Sequence, residues 1–205
     1  MAASRPAGPR LLLVEGADDE HVIRHLHEQT QGAVDFDIEQ LGGTAQIREE
    51  IEAHAKAPGR TALGIVVDAN SDTAARWQSV RDALMLADIR LPLAPDPPGT
   101  VVPSSTAGVP KVGVWLMPDN QASGELEDFL AALIPAGDDV WRLAQQYVEQ
   151  VPGDQLSKPA KARLHAWLAV RTDGGRLGTS ISAGAFDLEQ PAARSFVDWL
   201  RRVFQ

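Results

Sequence analysis

Three short, almost unbroken apolar runs constrain this chain more than any other feature: Leu11 to Val14, Leu63 to Val67 and Val112 to Met117. Each is rich in Val, Ile or Leu and is followed by turn-forming residues. Side chains alternate faces along a strand, so a continuous apolar run predicts a strand covered on both sides, as in a parallel sheet sandwiched by helices. The segment Val34 to Ile38 alternates apolar and acidic residues instead, which predicts a strand with one exposed face near a sheet edge.

Helical patterns separate the strands. Asp18, Asp19 and Glu20 precede Val22, Ile23 and Leu26, which places acids in a first turn, where the helix dipole favours them, and apolar groups on one face. Thr44 is expected to cap a helix through Ala55, with Ile47 and Ile51 inward. Thr73 is expected to cap another with Trp77, Val80, Leu84 and Met85 inward, and Ser123 to begin a fourth with Leu126, Phe129, Leu130 and Leu133 inward. This βα alternation predicts an α/β fold: a mostly parallel, Rossmann-like sheet flanked by helices. Pro92 to Pro110 holds six of the fourteen prolines and reads as a loop with a small hairpin at Val101-Val102. Helices are then expected at Asp139 to Glu149, Ser157 to Val170 and Glu189 to Phe204, with a glycine-rich stretch from Gly174 to Gly184. A length of 205 residues suits one domain, with a core over residues 11–135 and a helical C-terminal extension over 136–205.

In an open parallel sheet, functional groups gather beyond the carboxyl ends of the strands. Three strands here run into acids: Glu15, Asp18 and Asp19; then Asp68, Asn70 and Asp72; then Asp119, Glu125, Glu127 and Asp128. One acidic turn is ordinary, because Asp is a turn residue and acids favour helix starts. Three on one rim repel one another unless cations intervene, and hard oxygen ligands suit Mg²⁺ or Mn²⁺. With no cysteine in the chain, thiolate metal sites and disulfides are excluded.

The net charge of −9 speaks against gripping nucleic acid by bulk electrostatics. The charge is uneven, however. Residues 11–52 carry eleven acids against Arg24 and Arg48, whereas residues 157–176 carry Lys158, Lys161, Arg163, Arg171 and Arg176 against Asp173 alone. A divalent ion offsets the first segment, and the second can face a phosphate backbone; an ordinary acidic surface is the competing reading. The residues before Leu11 lack the apolar run of a signal peptide, and no run is long enough to span a membrane, so a cytoplasmic protein is expected.

Taken together, Val14-Glu15-Gly16 with Asp19-Glu20, then Ile65 to Asp72, then Ser123-Gly124-Glu125-Leu126-Glu127 resemble a Toprim domain. More closely they are similar to the Toprim of OLD-family (overcoming lysogenization defect) nucleases, over residues 11–170. Val114 to Asn120 and Lys161 to Ala169 resemble a stand-alone branch of that group. The resemblance implies a Mg²⁺- or Mn²⁺-dependent phosphodiester-cleaving enzyme acting on nucleic acid, DNA ahead of RNA. It implies Glu15 as metal ligand or general base, Asp19 as a second acid, Asp68 as the first acid of a DxD motif, and Glu125 and Glu127 as further ligands with Ser123 beside them. It also implies Lys161, ahead of Lys158, as the lysine that stabilises charge at the reacting phosphate. Position 70 departs from the pattern: Asn stands where a second Asp is usual, which removes one negative charge from the ion's surroundings, and Asp72 is a substitute ligand. No Gly-x-x-x-x-Gly-Lys-Ser/Thr occurs, so an ATPase partner, if used, acts from another chain.

Other residues carry simpler readings. His21 and His25 share a helix face and read as solvated, His165 as partly buried, Tyr147 as core or surface, and Gly42-Gly43-Thr44 as a tight turn. The five tryptophans read as core rather than a base-stacking platform. Two further functions compete with the nuclease: a non-catalytic module binding nucleic acid or a partner protein, and a receiver- or phosphatase-type enzyme, which the lack of an Asp-x-Asp-x-Thr motif disfavours.

Overall fold

The three apolar runs form β1 (Arg10–Val14), β3 (Ala62–Asp68) and β5 (Lys111–Met117), the centre of a five-stranded sheet completed by β2 (Asp37–Gln40) and β4 (Thr100–Val102). This computed structural model describes residues 8–30, 34–42, 47–170 and 177–205. The strand order is β2-β1-β3-β5-β4, parallel except for β4, which runs antiparallel to β5. Helices α1 (Ala17–Gln29), α2 (Ile47–Ala55), α3 (Thr73–Met85) and α4 (Leu126–Ala131) connect or follow the strands. Then come α5 (Asp139–Glu149), α6 (Pro159–Leu168), α7 (Leu177–Ser182) and α8 (Pro191–Phe204).

Alternate residues of each central strand serve two cores. Leu11, Leu13, Leu63, Ile65, Val67 and Val114 pack against α2 and α3. Leu12, Val14, Val66, Trp115 and Met117 face α1, α4 and α8. The helical extension thus returns to the sheet: α8 lies across Gly64 and Gly113, where a Cβ at Gly113 would overlap Val203. Glycine in a strand here admits a close helix approach. Trp199 Nε1 donates to the Thr100 carbonyl at 3.1 Å and so ties α8 to β4.

Several local expectations are corrected. The strand expected at Val34 to Ile38 begins at Asp37; Val34 is buried and Phe36 stacks on Phe204 at 4.4 Å, so the alternation there records packing of the approach to an edge strand. Asp72, not Thr73, caps α3, its carboxylate accepting from Ala75 N at 2.9 Å. Met85, the last residue of its helix, is 60% exposed rather than inward. Helix α4 starts at Leu126, after Ser123, and α6 and α8 are each two residues shorter at the start than expected. On α1 His21 is exposed, as expected of a solvated face, whereas His25 is half-buried: Gly178 of α7 packs against its ring, and its Nδ1 lies 2.8 Å from Ser182 Oγ. His165 and Tyr147 are exposed. Thr44, Gly43 and the stretch 171–176 lie outside the described residues.

Trp77, Trp115, Trp167 and Trp199 are buried, and Trp141 packs edge-on to Trp167, so none of the five forms a stacking platform. Among the described residues no helix is long and apolar enough to cross a membrane.

Candidate metal centre

The parallel register sets Val14 beside Val66 and Asp68 beside Met117, so β1, β3 and β5 release their chains on one rim. Glu15 leaves β1 there, and its Oε1 accepts from Asp68 N at 3.1 Å. Gly16 precedes α1 and donates its N–H to Asp19 Oδ2 at 3.1 Å. Asp68 Oδ1 in turn accepts from Leu126 N at 3.0 Å, which fastens the first turn of α4 to the end of β3. That contact brings Glu125 and Glu127 to the group. Asp19 and Glu127 are 7% and 6% exposed, deep burial for two carboxylates.

Other acids from the same turns serve the backbone. Asp72 caps α3, Asp119 Oδ1 accepts from Gln121 N and Ala122 N, and Asp128 Oδ2 accepts from Glu125 N. Ser123 is exposed on the turn before α4. Asn70 is exposed and sits at φ 54°, a left-handed conformation that Asn tolerates better than most residues. Its amide nitrogen donates to the Asp68 carbonyl at 3.3 Å.

Three cations meet the cluster. Lys161 Nζ lies 3.3 Å from Glu127 Oε1 and 3.4 Å from Asp18 Oδ2. Lys158 Nζ lies 2.9 Å from Glu125 Oε2, so both lysines reach the acids, each to a different partner. The third is Arg76, which sequence reasoning missed: its guanidinium is 3.3 Å from Glu15 Oε1, with both side chains largely buried. Its signal was position alone, one helical turn beyond the capping Asp72 and next to the inward Trp77. The two lysines line an adjoining cleft of 380 Å³ with Asn70, Gly124, Glu125 and Ser157.

The five inner carboxylates share one pattern. Glu15, Asp19, Asp68, Glu125 and Glu127 each commit an oxygen to a backbone N–H or a cation, and among the described residues one buried carboxylate oxygen of the five is left without a hydrogen-bond partner. The free oxygen of Asp19, Oδ1, is fully buried. Burial, reinforced by Glu15, pushes the Asp19 carboxyl up to about 7. Burial and then the charges of Asp19, Glu15, Glu125 and Glu127 push Asp68 to about 8. Burial also raises Glu15, against the opposing pull of Arg76 and the Asp68 N–H. The Lys158 ammonium is held above its usual range by its hydrogen bond to Glu125. For Lys161, burial works the other way, but Glu127 and Asp18 outweigh it and the net shift is upward.

An all-oxygen donor set with a partnerless buried carboxylate oxygen fits a hard divalent cation in its chemistry. In the present arrangement the acids are turned toward their cations and backbone donors, and among the described residues no three His, Cys, Asp or Glu side chains are placed to hold an ion together.

Fold and rim define the class: a Rossmann-like α/β protein with an acidic cluster beyond the carboxyl ends of its parallel strands. Residues 9–205 match the family described as Protein of unknown function (DUF3226), and the chain belongs to that family. Among solved structures it is similar to the C-terminal region of the Xanthomonas campestris pv. campestris OLD protein. The mercury-phased structure has a TM-score of 0.50 at 13% identity, over 96% of each chain. The platinum-phased structure gives 0.49 at 14% identity, over 96% of this chain and 94% of that one. At such identity the likeness is one of fold. No curated protein matches the chain.

Proposed function

We propose that this protein is a Mg²⁺- or Mn²⁺-dependent enzyme that cleaves phosphodiester bonds in nucleic acid, DNA ahead of RNA, with a Toprim-type acidic site. The observation that carries this reading is the convergence of five carboxylates on one rim, with a buried oxygen on Asp19 that no described residue satisfies. Among the described residues no donor reaches that oxygen, and a hard cation would satisfy it. The similarity in fold to an OLD protein's C-terminal region supports the same reading.

Glu15, Asp19, Asp68, Glu125 and Glu127 would hold the ion, after small side-chain rotations away from their present partners, with Asn70 contributing a neutral amide oxygen. Asp72 is already engaged as a helix cap, and Ser123 is exposed on the turn before α4. A bound divalent ion supplies Lewis acidity at the phosphate and lowers the pKa of the attacking water. Lys158 and Lys161 line the adjoining cleft, where they would hold the phosphate backbone and offset charge that develops on it.

The test is incubation of the purified protein with supercoiled DNA, linear DNA and RNA in Mn²⁺ and in Mg²⁺. Metal-dependent cleavage that Glu15→Gln abolishes is the expected result; cleavage unchanged in that variant would remove Glu15 from the site. Asn70 supports a second reading, a non-catalytic module that binds nucleic acid or a partner protein, because it withholds one charge from the ion. Tight binding without turnover in any divalent metal is the outcome that selects it.

A further inference from the structure

We infer that Arg76 is a positioning residue that orients Glu15 and restrains the cluster's affinity for cations. The inference rests on the metal-dependent reading above and concerns a residue outside the acidic motifs. Glu15 Oε1 is gripped twice, by the Asp68 N–H at 3.1 Å and by the Arg76 guanidinium at 3.3 Å. The hydrogen bond and the nearest guanidinium contact both fall on Oε1, so Oε2 is the oxygen left to meet an ion. The pair is sheltered, with 14% of the Arg76 side chain and 17% of the Glu15 side chain exposed, so solvent screens it weakly. Arg76 is also fixed from behind: it lies one turn into α3, where its N–H bonds to the Asp72 carbonyl at 3.0 Å and Asp72 caps the helix. Lys158 and Lys161, by contrast, have side chains 60% and 40% exposed, so solvent screens their ion pairs more strongly.

A fixed positive charge beside a ligand carboxylate has two effects that act in opposite directions. It repels an arriving cation through a partly buried site, and it holds the carboxylate in a single geometry. Removing the charge while keeping a polar side chain is therefore expected to tighten ion binding and slow turnover together. A residue that merely supported the fold would, on removal, weaken both.

The experiment titrates Mn²⁺ into the full chain and reads free Mn²⁺ by electron paramagnetic resonance, which needs no turnover. DNA cleavage at saturating Mn²⁺ is measured in parallel. Arg76→Gln is expected to bind Mn²⁺ about tenfold more tightly than the parent and to cleave at least about tenfold more slowly. Arg76→Lys keeps the charge but loses the planar fork, so its Mn²⁺ affinity is expected within about threefold of the parent, with a reduced rate. Arg76→Gln that is folded by circular dichroism and binds Mn²⁺ no more tightly than the parent overturns the inference. Should Arg76→Gln fail to fold, a full cleavage rate in Arg76→Lys overturns it instead. A parent protein that binds no Mn²⁺ defeats the metal reading and this inference with it, whereas a parent that binds while Arg76→Gln is unchanged defeats only the role of Arg76.

Discussion

Asn70 and Gly124 exchange two backbone hydrogen bonds of 2.8 Å each, an isolated antiparallel bridge between the turn after β3 and the turn before α4. Asp68 lies two residues before one end of that bridge and Glu125 one residue after the other. The bridge therefore sets the spacing between the second and third acidic groups.

Gly124 tests this directly. It has φ +151°, and a Cβ there would meet Asp128 Oδ2 at 2.7 Å and Pro118 Cδ at 3.1 Å. Gly124→Ala is expected to lose about 1–3 kcal/mol of stability in urea melts, with weaker Mn²⁺ binding because Glu125 and Glu127 shift from Asp68. An unchanged urea midpoint would show that the bridge is dispensable.

Position 70 separates backbone from charge. Asn70→Asp retains a residue that tolerates φ near 54°, and adds the missing carboxylate; tighter Mn²⁺ binding is expected, with a small loss of metal-free stability from added repulsion. Asn70→Ala puts an ordinary side chain in the left-handed region and is expected to lose about 1–2 kcal/mol without any gain in affinity. Calorimetric Mn²⁺ titration and denaturant melts of the two variants check both statements.

The acids make metal-free stability depend on pH in a definite direction. Asp19 and Asp68 stand at about 7 and about 8 in the fold, against ordinary values of 3.8, so the folded chain holds these protons more tightly than the unfolded one. Their contribution is fully favourable below pH 4 and is lost as pH rises through about 7 to 8. In chelator, the contribution of these two groups should lower the melting temperature between pH 5 and pH 8, and the rise produced by added Mn²⁺ should grow over the same interval. A Mn²⁺ effect of equal size at both pH values would contradict this.

Asp19→Asn isolates the buried acid. It removes a charge that burial penalises and places a donor among acceptors, so metal-free stability at pH 8 should rise by about 1–2 kcal/mol. Stabilisation by Mn²⁺ should fall sharply in the same variant, and loss of cleavage should accompany it. Thermal melts with and without Mn²⁺ decide the matter.

Much of the architecture is written in local pattern. Leu11 to Val14, Leu63 to Val67 and Val112 to Met117 are apolar at both odd and even positions because helices cover both faces of their strands, and that is visible without coordinates. Edge features were less legible. Asp37 to Gln40 pairs on one side only and has no apolar run to mark it, so the buried Val34 and half-buried Phe36 displaced the expected strand. Capping was ambiguous for a similar reason: Asp72 and Thr73 are both competent, and the chain's exit direction from β3 selects Asp72.

For Glu15, Asp68 and the Glu125–Glu127 pair, sequence determined the chemical type and their common rim, since each follows a strand of one parallel sheet. Only the tertiary structure decided how each oxygen is used. Asp72 and Asp128 are the same residue type as Asp19, yet they cap helix starts as exposed or half-buried groups, while Asp19 is buried with one oxygen partnerless. Arg76 likewise belongs to the cluster because α3 brings its second turn against Glu15, a contact between residues sixty-one apart in the chain. Local pattern reports the demands of helix and strand. Long-range contacts, whose partners share no periodicity, assign each charge its neighbour.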